Sequence, residues 1–64
     1  MSLSYNEVEI IKFLAEEFSD TEIAERLNID RVTVKITIDN LMAKTGTKSV
    51  VGLMKEAMKR GWIV

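Results

Sequence analysis

Apolar residues recur along this chain with the period of a helix rather than of a strand. Val8, Ile11, Leu14, Ala15 and Phe18 fall three or four positions apart, the spacing that lines one face of an α-helix. Ser4 precedes them with Glu7 three residues on, the arrangement in which each side chain caps the other residue's backbone N–H. A first helix is therefore predicted over about residues 5–18. A second such pair, Ser19 with Glu22, opens a short helix over 20–27 whose apolar members Ile23, Ala24 and Leu27 share one face.

Asn28, Ile29 and Asp30 come next. Asn tolerates the left-handed conformation that ends a helix, Ile is an apolar plug, and Asp can cap the helix that follows. A link this short forces a large crossing angle with Ile29 tucked beneath, which is the helix-turn-helix arrangement. The third helix is predicted over about residues 31–44, closed by Gly46. Ser49 caps a fourth over 50–60, closed by Gly61, after which Trp62 and Ile63 fold back onto the core. There is no proline, repeat or low-complexity tract, and glycine stands only at 46, 52 and 61. Residues 1–64 thus read as one all-α, four-helix helix-turn-helix domain, with the third helix as the candidate recognition helix.

The two faces of that third helix differ. Val34, Ile38, Leu41 and Thr45 make the inward stripe, which leaves Val32, Lys35, Ile36, Asp39 and Ala43 outward. A large aliphatic such as Ile36 on the solvent side is either one of the isolated exposed residues common on proteins or a contact, for which thymine methyls are a natural partner. Lys35 can donate to guanine or to phosphate, while Arg31, Lys44 and Lys48 bracket the helix as candidate backbone contacts. Thr33 can place its hydroxyl on a phosphate or serve as a cap. Asp39 on the same face repels phosphate, so it should pair with Lys35 at i, i+4 spacing or accept from a cytosine amino group; the intrahelical pair is the favoured reading.

The fourth helix carries two stripes. Val50, Leu53, Met54 and Ala57 form one; Val51 and Met58 form another, with Lys55 between them. If the first packs on the core, then Val51, Lys55 and Met58 are available to a second copy; otherwise both belong to one broad core-facing arc. Gly52 lowers helix propensity by roughly 1 kcal/mol against Ala, which a close helix approach would explain.

Composition narrows the chemistry. With 64 residues and neither cysteine nor histidine, the chain has no disulfide and no zinc site of the usual kind to support it. Below about 70–80 residues an apolar core rarely contributes more than roughly 3–5 kcal/mol, so tight helix packing or a partner chain is needed. The same inventory argues against an enzyme, since nucleophile triads and most proton shuttles need His or Cys. No metal and no cofactor is expected. No stretch approaches the roughly 18 apolar residues of a membrane span, and the N-terminus lacks the basic start and apolar run of a signal peptide. The net charge of -1 is unevenly spread: residues 1–27 carry -5, residues 28–48 carry +2 and residues 49–64 carry +2. Either one face is turned toward phosphates or these are ordinary solvated helix faces.

The order of residues from Ser19 to Lys35, S-D-T-E-I-A-E-R-L-N-I-D-R-V-T-V-K, followed by Asn40, Lys44 and Gly46, resembles the DNA-binding domain of the LuxR-type, or GerE-type, bacterial transcription regulators. Leu3, Glu7, Glu9, Ala57, Gly61 and Ile63 extend the likeness over nearly the whole chain. The resemblance implies a four-helix fold whose third helix enters the major groove of double-stranded DNA and whose fourth pairs two copies on the operator. It implies phosphate or base contacts at Thr33, Lys35 and Lys44, with Ile36 as the apolar base contact. The sequence departs from the family pattern where Thr37 replaces a usual His, Thr45 the Leu of K-L-G, Val50 a common Arg, and Asp39 an often basic residue. In such families the domain commonly sits behind a receiver or ligand-binding domain and is rarely free-standing, so the resemblance implies a fused signal-receiving domain and RNA polymerase as partners. A soluble, cytoplasmic, nucleoid-associated protein is the corresponding expectation. Two other readings share these residues: the promoter-reading region of a sigma factor, against which Gly46 and the capped fourth helix argue, and a protein-interaction module that keeps the fold without DNA.

Overall fold

The computed structural model describes residues 2–63, which form four helices: α1 (Tyr5–Ala15), α2 (Asp20–Leu27), α3 (Arg31–Thr45) and α4 (Val50–Lys59). Both capping boxes are present. Ser4 Oγ accepts from the Glu7 amide at 3.2 Å and Glu7 Oε1 accepts from the Ser4 amide at 2.9 Å, and Ser19 with Glu22 repeats the exchange. Ser49 Oγ accepts from the Gly52 amide at 3.0 Å to start α4. Asp30 stands at the N-cap of α3, but its side chain makes no cap hydrogen bond. Its carboxylate acts there only as a negative charge at the positive end of the helix dipole.

The four helices end alike. Glu17, Asn28, Gly46 and Gly61 take positive φ angles of 64°, 57°, 70° and 75°. In each case the next amide donates to the carbonyl five residues back: Phe18 to Phe13, Ile29 to Ala24, Thr47 to Met42 and Trp62 to Ala57, at 2.8–3.1 Å. This double closure satisfies carbonyls that the helix leaves open and turns the chain back on itself.

Three helix limits move relative to the sequence reading. The first helix stops at Ala15, not near Phe18, because the cap at Ser19 starts α2 at once and the chain must reverse within three residues. Left-handed Glu17 performs the reversal. Phe18 then lies 5.1 Å from the Phe13 ring, with the Arg26 guanidinium 4.9 Å over its face. The third helix runs one residue further, to Thr45, and the fourth ends at Lys59 with Arg60 as its C-cap.

Packing follows from the stripes. Ile10 and Ile11 of α1, Ile23 and Ala24 of α2, Val34, Ile38 and Leu41 of α3, and Leu53 and Ala57 of α4 form the buried core. Phe18, Ile29, Trp62 and Ile63 cover it from the turns and the C-terminal segment, and Arg60 stacks 5.3 Å above the Trp62 ring. Helices α1 and α3 each touch every other helix, whereas α2 and α4 do not touch one another among the described residues. The recognition candidate is thus held from three sides, which fixes the direction of its fourth.

Gly52 does not mark a close approach of two helices. A Cβ built there would meet Ser49 Oγ and Thr47 Cβ at 3.4 Å, ordinary contact with the preceding turn. Gly52→Ala should therefore recover most of the helix-propensity difference, stabilising the domain by about 0.5–1 kcal/mol. A higher urea midpoint at unchanged m-value is the expected result; a lower midpoint would show that the turn cannot accommodate the methyl group.

Candidate nucleic-acid interface

On α3 the inward residues Val34, Ile38 and Leu41 are buried. Thr45, at the end of the stripe, is half-buried and spends its hydroxyl on the Leu41 carbonyl at 2.8 Å and on Thr47 Oγ1 at 2.9 Å. The outward face is open: Val32 is 66% and Ile36 53% exposed, with Lys35, Asp39 and Ala43 exposed beside them. Residues 32, 35, 36 and 39 stand at i, i+3, i+4 and i+7, so one face presents two aliphatic side chains, one cation and one carboxylate.

The favoured pairing of that cation and carboxylate is absent. Ion pairs among the described residues join Lys12 to Glu9, Lys44 to Glu7, and both Lys59 and Arg60 to Glu56, not Lys35 to Asp39. The order is unfavourable, with the base N-terminal to a short acid, and an exposed i, i+4 pair contributes only about 0.3–0.5 kcal/mol even when well placed. Asp39 therefore remains on the outward face as an unpaired charge.

Arg31 and Lys35 border a shallow cleft of about 470 Å³ with Val32, opposite Ser19, Asp20 and Thr21 at the start of α2. That second wall was not singled out from the sequence, where Ser19 is marked only by its capping role. Its place beside α3 is a product of tertiary packing. Thr33 is exposed, and its carbonyl accepts from the Thr37 hydroxyl at 2.8 Å. Thr37, the departure from the usual His, thus bonds within its own helix. Lys48 is exposed in the turn between α3 and α4.

Lys44 is less free than its position suggested. Its Nζ lies 2.6 Å from Glu7 Oε2, while Glu7, only 8% exposed, gives its other oxygen to the Ser4 amide. One carboxylate thus closes the first turn of α1 and ties it to the last turn of α3. No local pattern announces such a pair, since its partners are 37 residues apart.

On α4, Leu53 and Ala57 are buried, whereas Val51 and Met58 are 67% and 56% exposed and Lys55 is exposed between them. The second stripe is not part of the core. It borders an open, largely apolar groove of about 620 Å³ whose walls include Leu14, Phe18, Val51, Met54, Lys55 and Met58.

The family model described as bacterial regulatory proteins, luxR family, matches residues 1–57. The chain belongs to the luxR family. Membership there, rather than among sigma factors, makes it a DNA-binding helix-turn-helix domain of transcription regulation. It is 38% identical over 56 residues to the transcriptional activator protein BglJ of Escherichia coli, covering 88% of this chain and 25% of that protein. It is 35% identical over 60 residues to an HTH-type transcriptional regulator of Mycobacterium bovis, covering 94% of this chain and 7% of that protein. The crystal structure of ChrA, the response regulator of a heme-sensing two-component system, superposes with a TM-score of 0.91 at 27% identity, over 98% of this chain and 31% of that one. The chain thus spans a quarter or less of the length of these curated relatives and under a third of the solved one.

In this luxR-family domain the tie between α1 and α3 has an electrostatic signature. Lys44, and then the Ser4 amide, hold the Glu7 carboxyl below the ordinary glutamate value near 4.5, against the opposing effect of burial. The Ser19 amide lowers exposed Glu22 in the same direction. A carboxyl with a depressed folded value contributes stability that is complete above the unfolded value and is lost as pH falls through the folded one. Stability should therefore be flat above about pH 5.5 and fall below about pH 4.5. Glu7→Gln should lower the urea midpoint at neutral pH and shrink the acid-side loss. An unchanged pH profile in that variant would remove Glu7 as its source.

Proposed function

We propose that this chain reads double-stranded DNA by laying the outward face of α3 in the major groove, and that two copies paired through α4 bind two half-sites. The observation that carries this reading is the exposed face itself: Val32 and Ile36 open to solvent beside Lys35 and Arg31, on a helix whose opposite side buries Val34, Ile38 and Leu41. Ile36 meets a thymine methyl, and Lys35 donates to guanine or to phosphate. Arg31, Thr33 and Lys48 contact the backbone, and Lys44 joins them with the ammonium donors that Glu7 leaves over. The exposed stripe of Val51, Lys55 and Met58 buries itself against its copy, as a two-fold interface requires. A signal-receiving domain in a longer chain and RNA polymerase are the partners that this role would engage.

A second reading, a protein-interaction module on the same fold, is favoured by one observation: Asp39 offsets Lys35 on the exposed face. Fluorescence anisotropy of the chain on a random-sequence duplex separates the two. Under the DNA reading, affinity falls steeply from low to near-physiological salt, and Lys35→Ala weakens it while reducing the log–log salt slope by about one unit. No binding at low salt would favour the protein-interaction module, and an unchanged slope in the variant would take Lys35 out of the interface.

The pairing surface is tested separately. Met58→Asp places a negative charge at one apolar end of the stripe on a side chain that is mostly exposed, so the variant should fold normally. It should bind a two-site duplex without the cooperativity of the parent chain. Equal cooperativity for both, measured by anisotropy on one-site and two-site duplexes, would place the interface elsewhere.

A further inference from the structure

Asp39 is the one anion on the outward face of α3, and the ion pair with Lys35 expected of it is absent. It lies three residues beyond Ile36 and seven beyond Val32, on the same side of α3, and it is exposed and unpaired. Its neighbours on the face are the aliphatic Val32 and Ile36, with Lys35 one turn before it and making no ion pair with it. When such a surface docks, water is displaced from around the carboxylate, and an acceptor left without a donor there weakens the complex.

The donors available in a major groove are few. Guanine and thymine present only acceptors and a methyl group to it. Adenine presents its amino group beside the N7 acceptor, which repels a carboxylate. Cytosine presents its amino group with no neighbouring acceptor of its own. Phosphates offer nothing to an anion. Ile36 and Asp39 are separated by about 4.5 Å along the helix axis, little more than the roughly 3.4 Å between successive base pairs.

We infer that Asp39 is a base-reading residue whose carboxylate accepts the amino group of a cytosine, placed within one or two base-pair steps of the thymine that Ile36 contacts. The inference rests on the proposed placement of α3 in the major groove. Asp39 then acts by penalty as much as by attraction. It weakens binding to every duplex through repulsion of phosphates and recovers that loss only where a cytosine amino group meets it, so it lowers affinity while raising discrimination.

The test is selection of bound duplexes from a random pool by the parent chain, Asp39→Ala and Asp39→Asn, followed by anisotropy on the selected site. The parent should select a cytosine adjacent to, or one step from, a thymine. Asp39→Ala should lose the cytosine and bind random duplex more tightly than the parent. Asp39→Asn, able to donate and accept together, should shift that position toward adenine. On the parent's site, replacing the cytosine by N4-methylcytosine blocks the amino hydrogen that faces the groove while keeping its pairing with guanine. Parent affinity should fall about tenfold, in line with one base contact, and the Asp39→Ala variant should be indifferent. Ile36→Ala should leave the cytosine in place and relax only the thymine.

Identical motifs for the parent and both Asp39 variants, or a parent indifferent to N4-methylcytosine, would overturn the inference and leave DNA binding intact. Failure of the folded parent to bind any duplex at low salt would overturn the DNA reading, and this inference with it.

Discussion

One backbone event governs the whole domain: after the last turn of each helix a single residue adopts the left-handed conformation, and the following amide reaches back five residues. The event does two things at once. It satisfies carbonyls that would otherwise need water, and it swings the next side chain toward the core. Phe18, Ile29 and Trp62 arrive there in this way. Thr47 occupies the same place after α3 and spends its hydroxyl on Thr45 instead. Reversals this tight keep every link to a few residues, so little chain entropy is lost in ordering loops. A 64-residue domain without cross-links has few other ways to limit that loss.

Short links also decide what α3 can do. Pinned by α1, α2 and α4, it has one free side, and the turns set which side that is. The Glu7–Lys44 pair adds a polar tie at its far end, where the buried carboxylate has its other oxygen satisfied by Ser4. A partly exposed ion pair of this kind contributes modestly to stability. Its value is geometric, since it holds the last turn of α3 to the first turn of α1 in one relative placement.

Much of this architecture was legible in the residues. Ser4–Glu7, Ser19–Glu22 and the serine at 49 start helices where they were expected, because caps are local chemistry. Asn28, Gly46 and Gly61 end them for the same reason. Glu17 was not legible, because glutamate has no preference for the left-handed region and takes it only under the demand of the neighbouring cap and of Phe18. Asp39 is not paired as its spacing predicts. Spacing allows a pair with Lys35, but weak exposed attraction does not hold a long lysine in place. Lys44 was seen as a surface base, while its tie to Glu7 depends on the tertiary meeting of two helix ends. The wall of the cleft at Ser19–Thr21 was hidden for the same reason. Local signals therefore gave the elements, and only packing revealed which of their polar groups were already engaged.

The division of α3 into two residue sets has a consequence for how such a domain changes over time. Val34, Ile38 and Leu41 carry the packing, while Val32, Lys35, Ile36 and Asp39 are exposed and lie outside the buried core. Substitutions in the second set should cost little stability, so this face can be altered position by position without rebuilding the scaffold. Lys44 is different, because its ammonium is held by Glu7 in the tie between α1 and α3. A substitution at Lys44 leaves the nearly buried Glu7 carboxylate without that partner, so position 44 is rewritten less freely than those four.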